Sequence, residues 1–156
     1  RLDRDTSGLL VLGRGKEAHR NLSIQFQDRH VDKIYTALVW GHPAENEGQV
    51  DLPLRYDPPT KPRHVVDPNG QSALTYWRVL SRHPKYTRVE LKPFTGRSHQ
   101  LRVHMQALGH PILGDALYAE GDALTAMPRL CLHAEQLEVA HPVTGERLRF
   151  NCPAPF

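Results

Sequence analysis

The chain opens with Arg1-Leu2-Asp3-Arg4-Asp5-Thr6-Ser7-Gly8, a carboxylate set between two guanidiniums and followed by a tight turn. An aspartate has a reference pKa of about 3.9 and is ionised at neutral pH. In that form it can serve as a nucleophile or as a proton acceptor. Taken alone, the octapeptide is equally a helix cap or a surface ion pair worth about 0–1 kcal/mol. A second cluster runs from Lys92 to Met105 through Thr95-Gly96-Arg97-Ser98-His99-Gln100-Leu101-Arg102. On a helix Arg102 falls about 100° around the axis from Leu101, near Ser98 and His99 of the previous turn. An arginine at the border of an apolar stripe either snorkels its head into water or, if held in, needs an anionic partner. His99 and His104 are five positions apart. That misses the i, i+4 spacing of helical zinc ligands, so no metal is expected there. Tyr35 offers a ring face and a hydroxyl; a strand tyrosine packed in the core is the plainer alternative.

The elements that must position these groups follow from periodicity and turn chemistry. Asp5 to Gly8 reads as a turn, with short polar side chains and a glycine free to take positive φ. Leu9 to Leu12 reads as a short buried strand. Lys16 to Asp28 reads as a helix, with Ala18, Leu22 and Phe26 along one face. Lys33 to Trp40 reads as a strand half-buried on both faces. Six prolines between Gly41 and Gln71 exclude a long helix and leave loops around a short strand near Val50 to Leu54. Ala73 to Leu80 and Thr87 to Leu91 read as strands joined at His83-Pro84. Ser98 to Leu108 reads as a helix with Leu101, Met105 and Leu108 inward, capped by Thr95 or Gly96 and ended by Gly109-His110-Pro111. Leu130 to Val139 and Arg147 to Asn151 read as a hairpin. Strands outnumber helices and cluster together, which argues for an α+β fold.

Composition narrows the function classes. At 156 residues and 39% hydrophobic, the chain suits one domain with a real core. The net charge of +3 is a weak signal for nucleic acid, so an RNA partner requires the basic residues to cluster on one face. Cys131 and Cys152 form no Cys-x-x-Cys pair, which argues against structural zinc. No apolar stretch is long enough to span a membrane and no leader opens the chain, so a cytoplasmic protein is expected. The absence of an amphipathic heptad or long apolar edge strand favours a monomer.

With these segments in place, a family resemblance becomes visible. Arg1-Leu2-Asp3 with Thr6-Ser7-Gly8 resembles the aspartate motif of the RluA-type pseudouridine synthases. Lys33-Ile34-Tyr35-Thr36-Ala37 is similar to the tyrosine strand of that family. Thr95-Gly96-Arg97 with His99-Gln100-Leu101-Arg102 and His104 resembles its arginine motif. Gly109-His110-Pro111-Ile112, Gly114-Asp115 and Leu132-His133-Ala134 extend the match, in order, over nearly the whole chain. Trp40-Gly41-His42-Pro43 and Val50 to Leu54 are similar to the branch that modifies both ribosomal and transfer RNA. Two family features, a Lys-Pro-x-Gly-type segment and a His directly before Arg-Leu-Asp, are not in the sequence. Residues 1–156 are therefore expected to be a catalytic domain lacking its N-terminal segment.

The resemblance implies a mostly antiparallel mixed β-sheet with flanking helices and a central cleft. It implies isomerisation of uridine to pseudouridine without a cofactor. Asp3 would be the catalytic carboxylate, attacking the sugar C1′, attacking the base C6, or removing a sugar proton. Arg102 would be its buried partner, and Tyr35 would lie against the everted uracil. Arg1 would fill the gap left by the flipped base. Arg4, Lys61, Arg63, Arg97 and His99 would contact phosphates of 23S ribosomal RNA or transfer RNA, fixing the RNA without reading its sequence. Two other classes compete. An RNA-binding module without chemistry explains the basic loops but not an acid beside arginines. A glycosidase needs two acids about 5–9 Å apart, and Asp5 is the only second acid nearby.

Overall fold

The computed structural model describes all 156 residues. Its elements, in chain order, are β1 (Ser7–Gly8), α1 (Lys16–Gln27), β2 (Asp32–Trp40), β3 (Glu47–Asp51), β4 (Leu54–Tyr56), β5 (His64–Val66), β6 (Leu74–Arg82), β7 (Tyr86–Pro93), α2 (Gln100–Leu108), α3 (Gly121–Thr125), β8 (Leu132–Ala140) and β9 (Arg147–Asn151). Seven strands form one sheet in the order β1-β8-β2-β7-β6-β3, with β9 also on β8. All its pairings are antiparallel except β1 on β8. The expected α+β class, with a mostly antiparallel sheet, is what the chain adopts. β4 and β5 make a separate hairpin beyond β3.

The centre of the sheet is β2. Tyr35 through Val39 are all buried, on both of its faces. That agrees with a strand whose apolar residues run continuously instead of alternating. Against it pack Val89 and Leu91 of β7 and Leu101 and Met105 of α2. Helix α1 docks elsewhere. Leu22 is buried, and the Gln25 amide clasps the end of β8, donating to the Ala140 carbonyl at 2.8 Å and accepting its N–H at 2.9 Å.

Three expectations are corrected. Leu9 to Leu12 is not a strand; Leu10 and Leu12 are 53% and 77% exposed. The free edge of β8 offers room only for Ser7 and Gly8, because β9 occupies the same edge from Gln136 to Ala140. Leu9 makes one last bond to the Ala134 carbonyl, and the chain then leaves the sheet. The strand expected near Val50 to Leu54 is two strands, β3 and β4, parted at Leu52-Pro53. Proline has no N–H with which to continue a ladder. Finally, neither Thr95 nor Gly96 caps α2. The N-cap residue is His99, in the left-handed region at φ 56°, with no side-chain cap bond. Gln100 ties the approach instead, accepting the Thr95 hydroxyl at 2.6 Å and the Arg97 N–H at 3.1 Å. Helix α3 was not anticipated; at five residues it is too short to show periodicity.

Candidate active site

Asp3 sits at the head of a turn closed by the Thr6 N–H donating to its carbonyl at 3.1 Å. Strand β1 fastens that turn to the sheet. Ser7 Oγ accepts from Arg129 Nη2 at 2.7 Å and donates to His133 Nδ1 at 2.8 Å, while His133 Nε2 donates to the Cys152 carbonyl at 2.7 Å. Gly8 is obligatory. Its φ is +113°, and a Cβ there would lie 2.3 Å from the Ala134 carbonyl oxygen. The Thr6-Ser7-Gly8 stretch is thus less a free turn than an anchor that brings the sequence-distant Asp3 onto the sheet.

The anchored turn forms one wall of an open cleft with an empty volume of about 460 Å³. Asp3, Tyr35, Lys33, Arg1, Arg97 and His99 all line it. It runs on into a wider groove of mixed polarity past Leu9, Val11, Phe26 and Phe94, with Arg1, Tyr35 and Arg97 common to both. Tyr35 is 8% exposed. Burial and, secondarily, the Asp3 charge push its hydroxyl up to about 12, so it stays protonated throughout the neutral range. Lys33, two residues before Tyr35 on the same strand, reaches the same cleft, and burial lowers its pKa. The period of two along a strand was the signal that could have singled it out.

Arg102 is buried, as its place beside Leu101 allowed, but its principal partner is not Asp3. Its Nε and Nη2 donate to Asp115 Oδ2 and Oδ1 at 2.8 and 2.6 Å, a bidentate pair in which Asp115 is completely buried. Asp3 lies at the remaining corner of the guanidinium, with Oδ2 3.6 Å from Nη1 and its side chain 24% exposed. The expected Asp3–Arg102 pair is present, but as the open edge of a closer, fully buried Arg102–Asp115 pair that the sequence reading did not include. Burial works against the Arg102 charge, but the bonds and charge of Asp115, with a contribution from Asp3, raise its pKa on balance. A carboxylate at the mouth keeps its reactive oxygens available, whereas one clamped bidentate would not. Gly114-Asp115 is part of the family resemblance, but no local pattern marks Asp115, 13 positions from Arg102, as the clamp.

The remaining basic candidates divide. Arg97 is held on the cleft wall by donating Nε to the Ser72 carbonyl at 2.9 Å. Arg1 and His99 line the cleft, while Arg4, Lys61 and Arg63 do not. Arg4 is exposed in the turn beside Asp3. Lys61 and Arg63 are exposed just before β5, where Arg63 Nε donates to the Leu117 carbonyl at 2.7 Å. Asp5 is also exposed and lines no part of the cleft, and Asp115, the other acid near Asp3, is fully buried and clamped on Arg102, so Asp3 is the only acid lining the cleft. His104, the other member of the unpaired histidine spacing, is tied to Thr75 Oγ1 and the Leu52 carbonyl inside the core.

The model of the family described as RNA pseudouridylate synthase matches residues 1–107. The chain belongs to that family. Its chemistry is accordingly the isomerisation of uridine within RNA. It is 53% identical, over its full length and 72% of the relative's, to the dual-specificity RNA pseudouridine synthase RluA of Pasteurella multocida. Against the protein of the same name from Escherichia coli the identity is 51%, with the same coverage. Among solved structures, human RNA pseudouridylate synthase domain containing 1 superposes with a TM-score of 0.88 at 34% identity, covering all of this chain and 68% of that one. Human RNA pseudouridylate synthase domain containing 4 superposes with a TM-score of 0.72 at 30% identity, over 90% of this chain and 64% of that one.

Proposed function

We propose that residues 1–156 form the catalytic domain of an enzyme that everts a uridine of structured RNA into the Asp3 cleft and reattaches its base through C5. Asp3 supplies the nucleophilic or proton-accepting carboxylate. Arg102 holds that carboxylate at the cleft mouth by charge, and Tyr35 lies against the uracil as a ring and a protonated hydroxyl. The observation that carries this reading is the Asp3 carboxylate, partly open to the cleft, 3.6 Å from a guanidinium that a second acid keeps immobile. Preorganised charge of that kind costs no rearrangement when the reaction occurs. The isomerisation moves a bond from N1 to C5 with no net oxidation, so the side chains need supply only a nucleophile or base and enclosure for the detached uracil.

Arg1, Arg97 and His99 would meet the RNA at the cleft, and Arg4, Lys61 and Arg63 farther along the strand. Everting the base costs about a few kcal/mol, which these contacts must offset. Ribosomal and transfer RNA are the proposed substrates, supported by the dual-specificity relatives. No helix is long and apolar enough to cross a membrane. A monomer acting in the cytoplasm, where both RNAs occur, fits this reading.

The deciding experiment is tritium release from C5-labelled uracil in RNA by the protein and by its Asp3→Asn variant. Wild type should release tritium, and the variant should be slower by at least about 10³-fold. The variant should still bind RNA and lose no more than about 1 kcal/mol of stability, because Arg102 keeps Asp115. Retained release in Asp3→Asn would refute the proposal. Base detachment without tritium release would return it to hydrolysis.

A further inference from the structure

Tyr118, in the segment after α2, is 4% exposed, and its hydroxyl makes two polar contacts. Its oxygen accepts the backbone N–H of His64 at 2.9 Å and lies 2.6 Å from His99 Nδ1. The phenol has one proton, and His99 Nδ1 is the only acceptor in hydrogen-bonding reach, so the hydroxyl donates to it. An imidazole that accepts at Nδ1 carries its proton on Nε2. His99 Nε2 has no protein partner and is not sealed from solvent, and the residue lines the Asp3 cleft. His99 is also held at φ 56°, a left-handed conformation that is strained for a non-glycine residue and persists where the surroundings enforce it.

Tyr118 is itself fixed from behind. Its N–H donates to Asp115 Oδ1 at 3.2 Å, and the Arg102 guanidinium stands 5.2 Å from its ring centre. One short segment, Asp115 to Tyr118, therefore immobilises both Arg102 and His99.

We infer that Tyr118 is a positioning residue that locks His99 as the neutral Nε2–H tautomer, and that this N–H donates to a carbonyl oxygen of the everted uracil. Only the second half rests on the uridine reading of the cleft. A neutral donor suits a carbonyl, while Arg1 and Arg97 lining the same cleft provide the full charges that phosphates favour. The groups facing the ring are Asp3 from the opening turn, Arg102 from α2, His64 from β5, and Asp115 and Tyr118 from the segment beyond α2. Burial opposes ring protonation, Asp3 and Asp115 favour it, and Arg102 and His64 oppose it; the balance lowers the His99 pKa.

Nitrogen-15 NMR of histidine-labelled protein at pH 7.5 reads the tautomer directly. His99 should show a bare Nδ1 and a protonated Nε2, and Tyr118→Phe should turn this into a mixture of tautomers. An Nδ1–H or doubly protonated ring in wild type, or a spectrum unchanged by Tyr118→Phe, would overturn the lock. For the donor role, kcat/KM should fall about five-fold in Tyr118→Phe and about ten-fold in His99→Met, but less than about three-fold in His99→Gln, whose amide nitrogen can stand where Nε2 stands. Equal loss in the Gln and Met variants would overturn that role. A flatter salt dependence of RNA binding in His99→Met would move the contact from the base to a phosphate and overturn the carbonyl assignment. If Asp3→Asn were active while the NMR pattern held, the uridine reading would fail and the lock would stand.

Discussion

Asp115→Asn removes charge from the side chain that clamps Arg102 without changing its size. In the folded protein Asp115 accepts four bonds: two from the Arg102 guanidinium and two from the N–H groups of Leu117 and Tyr118. An asparagine carbonyl can keep the backbone pair, but its amide donors face a guanidinium that has no use for them. Breaking a buried ion pair by removing one partner costs about 3–5 kcal/mol. Asp3, 3.6 Å from Nη1, offers Arg102 partial compensation, which puts the expectation at the lower end, about 3 kcal/mol. In a domain of this size that is a fall in Tm of roughly 6–12 °C. Released from its clamp, Arg102 should turn toward Asp3, and turnover should fall about 10²-fold from misplacement of about 1 Å. Urea unfolding followed by circular dichroism, with tritium release alongside, measures both effects. The double variant Arg102→Met/Asp115→Asn removes the orphaned charge and should recover about 2 kcal/mol while staying inactive. A loss below about 1 kcal/mol in Asp115→Asn, or a double variant no more stable than the single one, would refute the clamp.

Two further outcomes are expected. The Tyr35 hydroxyl ionises near 12 in the folded protein against an ordinary 10.0, so the unfolded chain loses this proton first and stability falls as pH rises from about 10 to 12. Tyr35→Phe should escape about 2 kcal/mol of that loss between pH 9 and 11.5, read from urea midpoints; parallel curves for the two proteins would show that the hydroxyl is not buried as described. Gly8→Ala forces a Cβ against the Ala134 backbone, which has no flexible end that could yield. It should cost at least about 3 kcal/mol and reduce turnover by displacing Asp3, and a variant with wild-type midpoint and rate would remove β1 as the anchor.

Much of the molecule was legible in the order of its residues. The long strands β2, β6, β7 and β8 and the helices α1 and α2 carry patterns several turns or repeats long, and local sequence determines such patterns. The local sequence left Arg102 either snorkelling or held in, and Asp3 and Tyr35 stood out as site candidates only through the family resemblance; the structure buries Arg102 and brings all three to one place. Tertiary structure decided the rest. Leu9 to Leu12 has the composition of a strand, yet β9 had already taken the edge it would need. Arg102 required an anion, and the sequence could not say whether Asp3 or Asp115 would be nearer. That choice depends on how the loop after α2 folds back over the helix, a distance of 13 residues along the chain closed to 2.6 Å in space. Periodicity reports which face of an element is buried; the identity of the group waiting on the other side is set only when the elements pack.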